Sequence, residues 1–486
     1  MSIEFSKKLT AHETPIPGVV LYDLPVHGDN RGWFKENWQR EKMVALGLPD
    51  FRPVQNNISF NEKAGTTRGI HAEPWDKFIS VATGRIFGAW VDLREGPSFG
   101  AVFTAQLDPS QAIFIPRGVG NAFQTMEDNT AYTYLVNDHW SADAQGQYTF
   151  LNLADETAAI AWPVPLADAE LSDKDRAHPR LAEVVPMPAK KILVLGADGQ
   201  LGKALRELYA GEATVEFAGR ADFDFTNEAS FTARNWKNYS TIINAAAYTA
   251  VDSAETPEGR AAAWAINVTA VARLARTAVE HDLTLVHVSS DYVFDGSRES
   301  HDENEPFSPL GVYGQTKAAG DAIVSAVPRH YIVRTSWVIG EGNNFVRTMA
   351  SLAARGISPS VVKDQVGRLS FTQDIAAGIR HLLESAADYG TYNLSNSGEP
   401  QTWADIAADV YELTGAEREA VTGVSTAEYF KGKDVAPRPL GSVLQLNKIH
   451  AVGYEPPAAS GRLKAYVRSL GHPAVAASTK AESPGE

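Results

Sequence analysis

The pattern of apolar residues changes character at Lys191, and that change limits what the chain can fold into. Before it, short apolar runs are interrupted every few residues by Gly, Pro, Asn or Asp. Phe78–Val81, Ile86–Val91 and Ala112–Ile115 are examples. Runs of this length and spacing read as strands of a sandwich, jelly roll or barrel. After Lys191, strands alternate with helical stretches. Residues 192–195, 214–217, 241–245, 284–288 and 331–334 read as strands, and 200–209, 260–280 and 316–326 as helices. Such alternation belongs to a parallel sheet covered on both faces. A chain of 486 residues is also too long for one ordinary domain.

The expected organisation is therefore multidomain. An all-β, cupin-like jelly roll takes residues 1–182. The segment EVVPMPAK, 183–190, reads as a linker. A doubly wound, Rossmann-type α/β domain takes 191–474. Helices around Phe345–Arg355 and Thr402–Leu413 give it a small substrate-binding lobe. The small, polar residues 475–486 read as a disordered tail.

The chain has no cysteine. That excludes disulfides, cysteine nucleophiles, iron–sulfur clusters and Cys-ligated zinc. The formal net charge of −15 argues against nucleic acid or an anionic membrane as partner. No run of about 18 apolar residues could span a bilayer, and the first residues lack the apolar core of a signal peptide. A cytoplasmic enzyme is the expectation. An acidic chain that binds an anion must gather its basic residues locally.

The sequence KKILVLGADGQLG places Gly196, Gly199 and Gly202 between the first strand of the second domain and the helix opened by Gln200 and Leu201. Glycines at such a turn let the backbone approach a pyrophosphate, which the helix N-terminus then stabilises. The second strand runs into Arg220. An acid there would bind the ribose of NAD, whereas an Arg suits the 2′-phosphate of NADP. NADPH is thus the expected cofactor. Arg220 also reads as a solvated charge, which leaves NADH possible. Asp224 and Phe225 follow where an adenine would sit. Ala245, Ala246 and Ala247 end the third strand with small side chains, which leave room for a cofactor.

Tyr313 and Lys317 stand four apart, on one face if the segment is helical. A neighbouring ammonium is expected to lower the phenol pKa and make Tyr313 an acid–base group. Ser290 ends a strand, where ligands sit in open parallel sheets. Its hydroxyl could polarise the same carbonyl. The spacing alone decides little, since Tyr429 and Lys433 repeat it. The ordered context singles out Tyr313.

This part of the chain resembles extended short-chain reductases acting on nucleotide sugars, of the dTDP-4-dehydrorhamnose reductase type. The resemblance rests on GADGQLG, NAAAYTAVDSAE, SSDYVFDG, VYGQTK, RTSWVIGEGNNF and PRPLGS, within residues 190–470. It implies catalysis by Ser290 (Thr in most members), Tyr313 and Lys317, and Tyr313 and Lys317 are also expected to contact the cofactor, Lys317 at the nicotinamide ribose. It implies that Trp337 and Arg438 contact the sugar. Gly441 replaces an Asn that is common beside that Arg. Some members bind magnesium, and no dense acid cluster commits this chain to it.

In residues 1–182 the histidines are His12, His27, His71, His139 and His178. None is paired at the short spacing of a metal-binding jelly roll, so no metal is expected. His71, in Thr67-Arg68-Gly69-Ile70-His71, is either structural or an acid–base catalyst. Arg31, Arg68, Lys77 and Arg117 are cations that could converge on a diphosphate, or scattered surface charges.

The stretches GDNRGWFKENW, VQNNIS, TRGIH, WVDLREGPSFG, AIFIPRGVGNAF and LSDKD resemble the metal-free dTDP-4-dehydrorhamnose 3,5-epimerases. The resemblance implies that His71, paired with Asp175, removes protons alpha to a 4-keto group. It implies that Lys77 stabilises the enolate and Tyr134 reprotonates from the other face. Arg31, Gln55, Asn57, Arg68 and Arg117 would hold substrate, and the domain would form a homodimer. Asn121 replaces a common His, and Trp140 a common Tyr.

Together the two resemblances imply a bifunctional enzyme. It would epimerise a dTDP-linked 4-keto-6-deoxyhexose and then reduce its C4 ketone. Two other readings remain at this point. Residues 1–182 could be a non-catalytic sugar-nucleotide binding or dimerisation module, or the second domain a regulatory Rossmann domain.

Overall fold

A computed structural model describes residues 5–139 and 146–471. Trp140 and the tail 475–486 lie outside the described residues. The chain divides into two compact units, Met1–Ala189 and Lys190–Glu486. No helix among the described residues is long and apolar enough to cross a membrane.

The first unit is built from β1 (Thr10–Glu13), β2 (Val20–Asp23), β3 (Val26–Asp29), β4 (Gly32–Lys35), β5 (Gln55–Asn61), β6 (Thr67–Ala72), β7 (Lys77–Thr83), β8 (Ile86–Asp92), β9 (Val102–Leu107), β10 (Gln111–Ile115), β11 (Val119–Thr125), β12 (Thr130–Val136) and β13 (Thr149–Phe150). Two antiparallel sheets result, in the orders β1-β2-β10-β7-β12-β5 and β13-β6-β11-β8-β9. Ile79, Val81, Trp90, Ile113, Phe123 and Tyr132 meet in a core with contributions from both sheets. Central strands such as β7 are buried on both faces at most positions. The edge strand β5 alternates. It turns Gln55, Asn57 and Ser59 toward a cavity, and Ile58 and Phe60 outward.

The second unit has a six-stranded parallel sheet. Its order is β15 (Val215–Ala218), β14 (Lys191–Leu195), β16 (Tyr239–Asn244), β17 (Thr284–Ser290), β18 (His330–Thr335), then Gly390–Asn393. Two apolar clusters cover it, one around Leu274 and Leu285, the other around Leu205 and Ile379. The order reverses at β14. In such sheets ligands bind beyond the strand carboxyl ends at that point. A third cluster, from Val346 to Val467, is the core of a lobe that includes helices Phe345–Ala354, Trp403–Leu413 and Ala459–Ser469.

The glycine turn fits its place for steric reasons. Gly196 has φ +77°, and a Cβ there would lie 2.6 Å from the Ala246 nitrogen. At Gly202 a Cβ would meet the Gly196 carbonyl oxygen at 2.2 Å. Side chains at either position would push apart the first helix and the strand ends it rests against.

Candidate active sites

A cavity of about 1130 Å³ opens in the first unit. His71, on β6, pairs in register with Asn121 of β11 and Phe150 of β13. Its Nε2 lies 2.8 Å from Asp175 Oδ1. Asp175 comes from the short helix Asp173–Arg176, which is capped by the Ser172 hydroxyl. Burial alone would raise the Asp175 carboxyl. The hydrogen bond and charge of His71, with the Gly69 N–H, outweigh it and hold the group below the usual carboxylate range. Asp175 is thus an anion at neutral pH, placed to stabilise a protonated imidazole.

Lys77 opens β7, almost fully buried, and pairs with Glu73. Its ammonium also lies 5.2 Å from the Tyr134 ring centroid, within cation–π range. Burial, and then the Glu73 charge, raise the Tyr134 phenol, with Arg68 opposing them. Tyr134 is therefore a protonated donor. Gln55, Asn57 and Arg68 line the same cavity. Arg31 and Arg117 do not. Arg31 is bound to Asp29 at an exposed hairpin tip, and Arg117 donates to the Pro188 carbonyl at 2.8 Å. Asn121 accepts from Trp90 Nε1 and donates to the Tyr132 hydroxyl, both at 3.0 Å.

Two residues here escaped the sequence reading. Glu73 pairs with Lys77 at i,i+4 spacing. His178, three residues after Asp175, brings Nε2 to 3.9 Å from Asp175 Oδ1. Among the described residues, His71, Asp175 and His178 form the one such set close enough to hold a metal ion. His71 lies 107 positions from His178, so no short-spaced pair marks this set in the sequence.

The second unit holds a cavity of about 680 Å³ beyond the carboxyl ends of β14, β15, β16 and β17. Gly196, Gly199, Gln200, Leu201, Arg220, Asp224, Phe225, Ala245, Ala246 and Ala247 line one part, and Ser290, Tyr313, Lys317 and Trp337 another. Gly202 stands behind the turn. Arg438 is not in the lining; it makes a two-pronged ion pair with Asp252 at 2.8 Å. Trp337 stacks on Trp403 from the lobe, ring centroids 3.8 Å apart. Trp403 was not singled out from the sequence. Tyr429 and Lys433 lie elsewhere, the ammonium 4.6 Å from the ring.

Tyr313 and Lys317 share the helix Val312–Val324. The expected lowering of the Tyr313 phenol is not what the structure shows. Burial pushes it up to about 12, and the charges of Asp291 and Asp321 add to this against the Ser290 hydrogen bond. Lys317 moves the other way, down to about 8, because burial outweighs the attraction of Asp321. Its Nζ donates to the Val288 carbonyl at 2.7 Å. The Ser290 hydroxyl donates to Asp291 Oδ1 at 2.9 Å. Asp291 is itself fully buried, and its carboxyl is raised to about 6, chiefly by desolvation.

A jelly roll carrying a His–Asp dyad, joined to a Rossmann-type unit carrying Ser, Tyr and Lys, defines a two-domain enzyme of the epimerase and short-chain reductase classes. Comparison with known proteins makes the families specific. Residues 190–471 match the family model described as the RmlD substrate binding domain, and residues 13–183 that of dTDP-4-dehydrorhamnose 3,5-epimerase. The chain belongs to both families and is a fusion of the two. A protein RmlC homolog of Streptococcus pyogenes is 49% identical over 194 residues, 39% of this chain and 98% of that protein. A dTDP-4-dehydrorhamnose reductase of Aggregatibacter actinomycetemcomitans is 36% identical over 284 residues, 55% of this chain and 94% of that protein. The crystal structure of a dTDP-4-dehydrorhamnose reductase from Bacillus anthracis in complex with NADP superposes with TM-score 0.53 at 32% identity. It covers 58% of this chain and 99% of that one.

Proposed function

We propose that the chain carries out two consecutive reactions on a dTDP-linked 4-keto-6-deoxyhexose. The first unit inverts C3 and C5, and the second reduces the C4 ketone with NADPH. The observation that carries this reading is that each unit groups its acid–base residues on the wall of its own cavity, His71 with Asp175 and Ser290 with Tyr313 and Lys317.

In the first unit His71 removes the proton alpha to the ketone, and Asp175 stabilises the imidazolium that forms. The buried Lys77 ammonium offsets the charge that develops on the enolate oxygen. Tyr134, a protonated phenol, returns a proton from the opposite face. A purely binding module would need no such dyad.

In the second unit NADPH, when bound, supplies the hydride. The glycine turn is shaped for a pyrophosphate, since Cβ atoms at Gly196 and Gly202 would strike backbone. Tyr313 remains a phenol up to high pH and gives its proton to the C4 oxygen. Ser290 polarises that oxygen once its hydroxyl turns from Asp291. Arg220, exposed beside the adenosine end of the cavity, suits a 2′-phosphate. Arg220→Ala is expected to raise KM for NADPH about tenfold, the worth of a charge-assisted hydrogen bond, and to leave NADH nearly unchanged. Steady-state kinetics with both cofactors checks this.

A homodimer through the first unit accords with its outward apolar side chains. Phe34 is 67% exposed, Ile58 69% and Phe60 56%.

The test is purified protein with dTDP-4-keto-6-deoxyglucose and NADPH in D2O, with the product read by NMR. A rhamnose-configured sugar carrying deuterium at C3 and C5 is expected. A product reduced at C4 with C3 and C5 unchanged would remove the epimerase half of the proposal.

A further inference from the structure

Beneath Lys317 lies a buried polar chain that the reaction outlined above does not use. The Asn244 side-chain oxygen accepts from the Ala246 N–H at 3.2 Å. That contact fixes the amide, so its nitrogen faces His287 Nδ1 at 3.1 Å. A neutral imidazole has one donor and one acceptor nitrogen. Nδ1 accepts from the amide, so the ring proton sits on Nε2. His287 is buried, and burial together with the Lys317 charge keeps it neutral, its pKa well below the usual range.

Nε2 lies 3.4 Å from Lys317 Nζ. An N–H aimed at an ammonium finds no lone pair, whereas aimed at a neutral amine it finds one. The two protonation states of Lys317 therefore have opposite partners. The Val288 carbonyl and the Asp321 charge favour the ammonium, and the His287 N–H favours the amine.

We propose that His287 is a positioning residue of the reductase, locked by Asn244 as the Nε2–H tautomer so that Lys317 can release its proton without leaving an unpartnered amine in the interior. The proposal rests on the reductase reading above. When Tyr313 has protonated the C4 oxygen, a phenolate remains. A proton leaving Lys317 Nζ restores the phenol. The amine left behind accepts the His287 N–H until a solvent proton reloads it. No electrons move in these steps, and one solvent proton enters per turnover.

The other groups facing this centre are few. Helix Val312–Val324 contributes Tyr313 and Asp321, β17 contributes Ser289, and the turn after it Asp291. From β18, Arg334 donates to Asp321 Oδ2 at 3.0 Å and holds that acid in place. Asp321 thus pulls Lys317 toward the charged form while the His287 N–H opposes it, and Asp321 Oδ1 lies 4.0 Å from His287 Nε2, beyond hydrogen-bond reach.

The test is the pH profile of kcat/KM for ketone reduction by the full chain, with epimerised substrate supplied by excess wild-type epimerase activity. His287→Gln, whose carbonyl can turn to an ammonium, is expected to move the alkaline limb up by half a pH unit or more. Asn244→Asp would reverse the tautomer and is expected to move it the same way. Equal loss of rate at every pH with the limb unmoved would overturn the proposal. For variants that fold poorly, 15N NMR of His287 in the wild-type chain decides: protonated Nε2 and bare Nδ1 are expected, and the reverse overturns it. A wild-type chain without reductase activity would instead sink the reductase reading, an outcome distinct from an unmoved limb.

Discussion

Tyr313→Phe is expected to lower ketone reduction by about 10²–10⁴-fold, the usual worth of a positioned general acid. The phenol ring lies within the protein beside Tyr292, ring centroids 5.4 Å apart. Removing one oxygen therefore leaves the packing in place and deletes only the proton donor. NADPH binding, followed by fluorescence, should change little, because the glycine turn and Arg220 lie in another part of the cavity. Deuterium exchange at C3 and C5 should be untouched, since that chemistry belongs to the other unit. A loss of less than tenfold in kcat would show that Tyr313 is not the donor.

His71→Ala is the matching test in the first unit. Removal of the base should cut deuterium wash-in at C3 and C5 by about 10²–10⁴-fold. Asp175 is held below the carboxylate range, so it stays ionised at neutral pH and its charge is the same in variant and wild type. Reduction of substrate already epimerised by wild-type enzyme should continue. Exchange that persists at the wild-type rate would assign proton removal to another residue of this cavity, His178 being the nearest imidazole.

Much of this was legible in the sequence because the signals are local. The change of periodicity at Lys191 separates two sheets of different kinds, and the glycine turn sits where a parallel sheet needs it. What was not legible depends on partners far away in the chain. The helix carrying Tyr313 was read as starting at Thr316, but it starts at Val312, whose N–H donates to the Glu255 side chain at 2.8 Å. A cap supplied from 57 residues away leaves no mark in the local pattern. The stretch 260–280 is helical as read, with one π-helical segment, Ala265–Ala270. There Asn267 bonds the Tyr248 backbone and the Thr316 hydroxyl, a tertiary demand.

Charges were the least legible. Arg438 and Arg117 carry the same guanidinium as Arg220, yet their partners, Asp252 and the Pro188 carbonyl, were set by the fold. The Tyr313 phenol moved opposite to expectation for a related reason. Spacing shows that an ammonium is near, but not how completely both groups are removed from water. His287 escaped notice because a His within an apolar strand reads as core. Its meaning lies in the direction of its N–H, which Asn244 dictates.

The division of the chain at Ala189 and Lys190 has a kinetic consequence. Two separate enzymes can be made in any ratio, and a cell can adjust how much unreduced ketose accumulates by changing one of them. A single polypeptide fixes the ratio of sites at one to one. The standing amount of that reactive ketose then depends on the kinetic constants of the two sites and on the supply of substrate and cofactor, and no longer on the relative amounts of two proteins.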